Sequence, residues 1–355
     1  MPQPLGNRTG LNSIDDLLEI RFRSPLQLGL NTIQPVLAKD LDNHNKITTD
    51  MVSIMADITD DYRRVYGSSD VIEMIEADEF SRAHSAKGRT GSEAAFPMRG
   101  FQLAIGWDKA YFQRASVADM AQTQISAQKG EVIRIRAEMQ KAIYLSSNYS
   151  FIDYRDTKVS LPVRRFLNAD GLDIPDSPFG AQFNSATHTH YLATAALVAA
   201  NLTALIQTVL EHHINGKPTV IINQADETAV RALVGFQAYI DSRITLNVSA
   251  NQPTSRLNPF TTDNRPIGLF GSAEIWVKPW ALPSYFLMVD MAAPKPLACR
   301  VRKGQTQINL TTMAELDFAP LYAKYMEAEF GFGVWTRTNG AVLFTGGGAY
   351  VDPVL

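Results

Sequence analysis

A single cysteine, Cys299, stands in 355 residues, so no intrachain disulfide framework can form, and a one-thiol chain fits a reducing compartment. Charge of either sign is scarcely in surplus. Thirty-three basic against 36 acidic residues leave a formal −3. That excludes the basic excess with which a dedicated nucleic-acid binder neutralises phosphates. Long hydrophobic runs are missing as well. The best candidate, 191–210, contains Thr194, Asn201, Thr203, Gln207 and Thr208, is otherwise rich in alanine, and runs into Glu211-His212-His213. It reads as a buried core helix rather than a membrane span. The first eight residues lack a charged start followed by an apolar run, so they do not read as a signal peptide. Repeats of 20–50 residues and low-complexity tracts are also absent.

What is present is a globular composition, 45% hydrophobic and 19% charged, in a chain long enough for about two domains. Residues 1–66 hold short helical pieces (14–20 and 48–66) between Pro25, Gly29 and Pro35. Aliphatic residues are too thinly spread there to close a core, so this segment should lie on another surface as an arm. In 67–112, an acidic run (Asp70, Glu73, Glu76, Asp78, Glu79) meets a basic one (Arg82, Lys87, Arg89) at a Gly-rich turn. Strand-like residues follow from Ala94 to Tyr111. The pattern predicts a long β-hairpin, which two strands alone would not stabilise.

Over 116–146, Ser116 and Asp119 have capping-box spacing and no proline interrupts the run, which predicts a helix about 45 Å long. Residues 150–187 are turn-rich, and an Ala-rich helix is expected over 188–213. Asp226 should cap a helix to Phe236. Strands are expected at 217–223, 244–248, 273–277, 285–289 and 297–302, with a connector at 313–320. Thr338-Asn339-Gly340 should turn a C-terminal hairpin. Helices and strands partly segregated make the fold class α+β.

Tests for chemistry leave no catalytic, cofactor or metal site. His188-Thr189-His190 would share a face on a strand and suit a transition metal. No His-Glu-x-x-His motif or cysteine pair completes such a site, and adjacent His212-His213 should face apart at a helix C-terminus. Gly331-Phe332-Gly333 lacks the third glycine and following helix of a dinucleotide loop, and Gly346-Gly347-Gly348 lacks a phosphate-loop lysine. Close backbone approach explains both better. Cys299 reads as a small buried residue.

The stretch Glu329-Phe330-Gly331-Phe332-Gly333-Val334-Trp335, then Arg337-Thr338-Asn339-Gly340-Ala341-Val342, Tyr350 and Pro353, resembles the end of the major capsid proteins of tailed double-stranded-DNA bacteriophages. These proteins have the Hong Kong 97-type capsid fold. The hairpin, the long helix, and the block through His190-Tyr191, Asn223, Asp226, Leu233, Trp280, Pro283, Tyr285 and Asp290 are similar to that family's extended loop, spine helix and axial domain, in the family's order. The resemblance implies an N-terminal arm (1–66), an extended loop (67–112) and a peripheral domain (113–187) carrying the spine helix. An axial domain (188–298) and peripheral return strands (299–355) would follow.

The resemblance further implies a structural protein, not an enzyme. It would assemble with itself as hexamers and pentamers into the icosahedral head of a virion, built in the host cytoplasm. Its partners would be a portal protein, a scaffold protein (for a chain that starts at Met1, either a separate scaffold or self-scaffolding), optionally a cement (decoration) protein, and packaged double-stranded DNA held by weak non-specific contact, with no membrane. The inter-subunit contact candidates are Asp70, Glu73, Glu76, Asp78, Glu79, Arg82, Lys87 and Arg89. Some relatives crosslink a loop lysine to a neighbour's asparagine; Lys87 and Asn339 are the residues available, though most relatives form no such bond. Two other readings compete: an encapsulin-like nanocompartment shell of the same fold, and a cytosolic metal-dependent hydrolase using His188 and His190.

Overall fold

The computed structural model describes residues 11–66, 91–178, 180–213, 216–239, 246–247, 252–253, 264–318 and 321–355. The chain opens with helices α1 (Ile14–Leu18), α2 (Pro25–Leu28) and α3 (Leu30–Ser53), then strands β1 (Ala56–Thr59) and β2 (Arg63–Tyr66). Next come β3 (Ser92–Ala95), β4 (Arg99–Asp108), α4 (Lys109–Arg114) and the longest helix, α5 (Val117–Tyr144). A short ladder of β5 (Tyr149–Ile152) and β6 (Ser160–Val163) precedes β7 (Tyr191–Ala193), α6 (Ala199–Leu210), β8 (Pro218–Ile222), α7 (Glu227–Arg231) and β9 (Phe236–Ala238). Two-residue strands β10 (Leu246–Asn247) and β11 (Gln252–Pro253) pair with each other. The chain then runs through β12 (Arg265–Phe270), β13 (Ala273–Val277), β14 (Tyr285–Asp290), β15 (Leu297–Val301), β16 (Leu310–Phe318), β17 (Leu321–Val334) and β18 (Ala341–Phe344).

Two sheets organise these strands. In the first, the 14-residue β17 is central. It pairs antiparallel with β4 along one edge and with β16 and then β15 along the other, while β1 adds parallel to β15. The second has seven strands in the order β7-β18-β14-β8-β13-β12-β9. Its middle is buried on both faces. All six residues of β14 and all five of β8 are buried. Tyr285, Leu287 and Val289 enter one core, shared with α5 and the first sheet, while Phe286 and Met288 enter another beneath α6. Alternate side chains on a strand point to opposite faces, so a continuous apolar run here feeds two cores at once.

The expected helix over 116–146 is found at 117–144, about 42 Å of helix at the usual rise per residue. Its capping box forms as the spacing predicts. The Asp119 amide donates to Ser116 Oγ (3.2 Å) and the Ser116 amide to Asp119 Oδ2 (2.9 Å). Its C-terminus is tied by the tail. Tyr350 donates to the Tyr144 carbonyl (2.6 Å), and the Ser146 amide donates to Asp352 (2.9 Å). The N-terminal segment does lie on another surface. Leu17, Ile33, Val36 and Leu37 pack on Val117, Met120 and Ala121 of α5.

Several expectations are corrected. The broken arm contains one 24-residue helix, α3, which runs through Pro35. Packing on α5 and the Asn45 amide's bonds to the Leu310 backbone outweigh local propensity. Residues 48–66 end that helix and then form β1 and β2. The strand-like stretch 94–111 is not one hairpin arm. β3 pairs with β2, whereas β4 is an edge strand of the first sheet, and the chain is helical from Lys109. The helix expected over 188–213 begins only at Ala199, because Tyr191–Ala193 is drawn into parallel pairing with β18. Asp226 does not cap a helix to Phe236; its carboxylate accepts the Ser284 amide (3.0 Å), α7 ends at Arg231, and 236–238 is strand. The connector at 313–320 is largely strand β16. Strands β17 and β18 are not a hairpin, since they belong to different sheets.

Candidate functional site

The segment between β17 and β18 is where the two sheets meet, and it gathers buried polar groups. Arg337 is fully buried. Its guanidinium donates to the Arg165 carbonyl (2.7 Å), to Asn168 Oδ1 (3.0 Å) and to Asp170 (2.7 Å). Burial pushes the Asp170 carboxyl up, but the charge and hydrogen bond of Arg337 outweigh it, and its pKa lies below the ordinary carboxylate value. Asn339 is equally buried. Its side-chain amide donates to the carbonyls of Asp290 (2.9 Å) and Pro294 (2.7 Å), and its oxygen accepts the Asp290 amide (2.8 Å). Side-chain oxygen and nitrogen are thus both engaged within the chain. Gly340 touches Phe166, and a Cβ there would collide with that ring.

A second buried pair pins the first sheet. Arg300, on β15, donates to Asp153 (2.8 Å) and to the Phe96 carbonyl (3.1 Å) from sites almost without solvent contact, and also to Asp156 (2.6 Å). Its neighbour Cys299 is buried, as expected, and burial pushes its thiol pKa up, so this sulfur is an inert packing atom. Gly331, opposite Arg300 in the ladder, lies so close to the Pro97 carbonyl that a side chain would not fit. The close-approach reading of the glycine-rich stretch holds there.

The histidine pair has company. His188 and His190 lie just before β7, and Glu211 and His212 close α6, two segments far apart in sequence. Three Nε2 atoms converge: His188 to His190 at 3.2 Å, His188 to His212 at 3.1 Å, and His190 to His212 at 3.2 Å. Glu211 Oε1 stands 3.5 Å from His188 Nε2 and 3.9 Å from His212 Nε2. His190 is wholly buried and directs Nδ1 at the Gly340 carbonyl (2.7 Å). Phe183 covers the rings of His188 and His212, with centroids 4.9 and 4.2 Å away. Burial first, and then the neighbouring imidazoles, hold His190 and His212 in the neutral form; His212 is lowered to about 3, and burial also lowers His188. In the sequence the pair looks incomplete because its partners sit more than 20 residues downstream and become neighbours only through the β7–α6 connection.

The eight charged contact candidates, Asp70, Glu73, Glu76, Asp78, Glu79, Arg82, Lys87 and Arg89, lie outside the described residues. What is described is the root of that segment. β2 and β3 form an antiparallel ladder from Arg63–Ala95 to Tyr66–Ser92, with an exposed Arg63–Glu93 ion pair at 2.9 Å. Large apolar side chains are exposed at Phe22 (99%) and Val234 (87%). Among the described residues, no helix is long and apolar enough to cross a membrane.

Two sheets locked through a buried turn, a long capped helix across them and the separate β2–β3 ladder make up the mixed α/β Hong Kong 97-type capsid fold. Among solved structures, a chain from Mycobacterium phage Patience superposes with a TM-score of 0.66 at 16% identity, over 98% of this chain and 96% of that one. Looser likenesses are the capsid of a native GTA particle (TM-score 0.47, 10% identity, 84% and 91% covered) and the cyanophage A-1(L) capsid asymmetric unit (0.47, 9%, 84% and 92%). No protein-family model and no curated protein matches the sequence.

Proposed function

We propose that this chain is the major capsid protein of a tailed bacteriophage, a structural protein without an active site that assembles as hexamers and pentamers into an icosahedral head around double-stranded DNA. The observation that carries the reading is the superposition on a phage chain across nearly the whole of both chains. The near-balanced charge supports it, because a wall with a large basic surplus would hold packaged DNA too tightly to release it. Exposed Phe22 and Val234 suit a subunit whose apolar surface is covered by neighbours.

In this reading the first sheet and α5 form the peripheral domain, and residues 188–298, with most of the second sheet, form the axial domain at capsomer centres. The segment rooted in β2 and β3 is the extended loop. It reaches over an adjacent subunit, with Asp70, Glu73, Glu76, Asp78 and Glu79 meeting Arg82, Lys87 and Arg89 of other copies. A portal protein and a scaffold protein complete assembly, and the finished shell is a virion component. Expression of the full chain with and without its scaffold, followed by electron microscopy and the particles' absorbance ratio, tests this. Closed shells of pentamers and hexamers with no enzyme cargo are expected. Shells that exclude nucleic acid and enclose a protein cargo would favour a nanocompartment instead.

A further inference from the structure

The three imidazoles cannot satisfy one another. His190 Nδ1 faces the Gly340 carbonyl, so it carries the ring's proton and leaves a bare lone pair on Nε2. An Nε2 that donates cannot also accept. If His188 and His212 both donate to His190, their two N–H groups face each other across 3.1 Å; if only one donates, the other presents a lone pair to that of His190. At least one edge of the triangle is therefore repulsive in every neutral arrangement.

A metal ion removes the conflict. A point about 2.05 Å from all three nitrogens, the usual Zn–N distance, lies about 0.9 Å off their plane and subtends N–metal–N angles of about 100°, close to tetrahedral. Ligand atoms of a tetrahedral zinc centre stand about 3.3 Å apart, and Glu211 Oε1 is 3.5 Å from His188 Nε2, so a small rotation of this half-exposed side chain makes it the fourth ligand. The Gly340 carbonyl supplies the outer hydrogen bond that orients a metal-bound imidazole. Phe183 keeps water from one side, while the exposed carboxylate of Glu211 marks the way in.

We propose that His188, His190, Glu211 and His212 form a four-coordinate site for a divalent transition metal, Zn²⁺ by geometry and ligand type. Three nitrogens and a carboxylate favour zinc over calcium or magnesium, which prefer all-oxygen shells. With all four positions filled by protein, the site is structural and offers no open position for hydrolysis. It joins the entry of β7 to the exit of α6. Between those two points lie β7 and α6, and the chain is thereby carried past β18 and β14 before it returns as β8, parallel to β7.

The test uses the full-length chain, stripped with chelator and titrated with Zn²⁺ alone, both as dissociated subunits and as particles. About one zinc per chain is expected, together with a rise in thermal midpoint that grows with free Zn²⁺ and does not occur with Mg²⁺. Co²⁺ in its place should give the intense visible absorption of a tetrahedral centre. His188→Ala should lower zinc affinity roughly hundredfold or more, and Glu211→Gln about tenfold. Substoichiometric zinc in the saturated wild-type chain, or unchanged affinity in His188→Ala, would overturn the site. Unchanged affinity in Glu211→Gln would overturn the four-coordinate assignment. Should His188→Ala fail to fold, wild-type stoichiometry, the cobalt spectrum and the exposed Glu211→Gln variant still decide.

Discussion

Single side chains carry the links between layers, and the charged ones do so from sites closed to water. Arg300 and Asp153 are each within 1% of full burial. Removing one partner leaves the other's charge buried and uncompensated, which costs about 3–5 kcal/mol. Asp153→Asn is therefore expected to lower the unfolding free energy by an amount in that range, read as a lower denaturant midpoint with the slope unchanged. The same pair sets an acid limit. Burial raises the Asp153 pKa, but its bonds to Arg300 and Thr157 lower it by more, so the net shift is downward from 3.8; Asp170 beside Arg337 behaves alike. Carboxyls with depressed folded-state pKa values stabilise fully above the unfolded value and lose that contribution as pH falls through the folded one. Stability should thus hold from neutral pH to about 4 and fall below it, and Asp153→Asn should flatten that fall in a pH series of thermal midpoints. Gly340→Ala tests close packing. Its methyl meets the Phe166 ring, and a loss of about 1–3 kcal/mol is expected by calorimetry.

Elements differ in how openly the sequence announces them. The helix α5 was legible because its signals are local: a Ser-x-x-Asp cap, helix formers and no proline. Ser116→Ala should cost about 1 kcal/mol in chemical denaturation, and Ile135→Ala, buried on the opposite side of Gly130 from the cap, about 2–5 kcal/mol. The strands β8, β13, β14 and β15 were legible for a similar reason, since short, mostly apolar and β-branched or aromatic stretches bounded by turns have few other uses, even where Glu274 and Arg300 interrupt them. What stayed hidden depends on partners distant in the chain. Nothing local says that Pro35 lies inside α3, that 191–193 leaves a helix-like stretch to pair with β18, or that β4 belongs to β17 rather than to a hairpin. The same holds at the site. Thr338-Asn339-Gly340 reads as a hairpin turn, yet Asn339 is buried and bonded to Asp290 and Pro294. The histidines looked unaccompanied because Glu211 and His212 reach them only after α6 has turned the chain back.

At the scale of the whole molecule, the oddities of the sequence acquire one cause. The arm lacks a core of its own and uses α5. The long segment between β2 and β3 is flanked by a four-residue ladder, and such a ladder contributes little stability by itself. A shell reading gives that segment a neighbour to lie on. Charge would then fix register between copies, each exposed pair adding roughly 0–1 kcal/mol but repeated throughout the particle. The triple change Arg82→Glu, Lys87→Glu and Arg89→Glu is expected to leave the subunit's melting profile unchanged. Shell closure should fail at low salt and recover in part at high salt, where repulsion is screened. Normal particles at low salt would remove charge from the assembly account. The most direct test of the central claim is electron microscopy of the purified full-length chain, expressed with its scaffold. The account predicts closed icosahedral particles of pentamers and hexamers, in which the segment after β2 lies across an adjacent subunit. A chain that remains monomeric under every assembly condition, or closed particles in which that segment folds back on its own subunit, would contradict it.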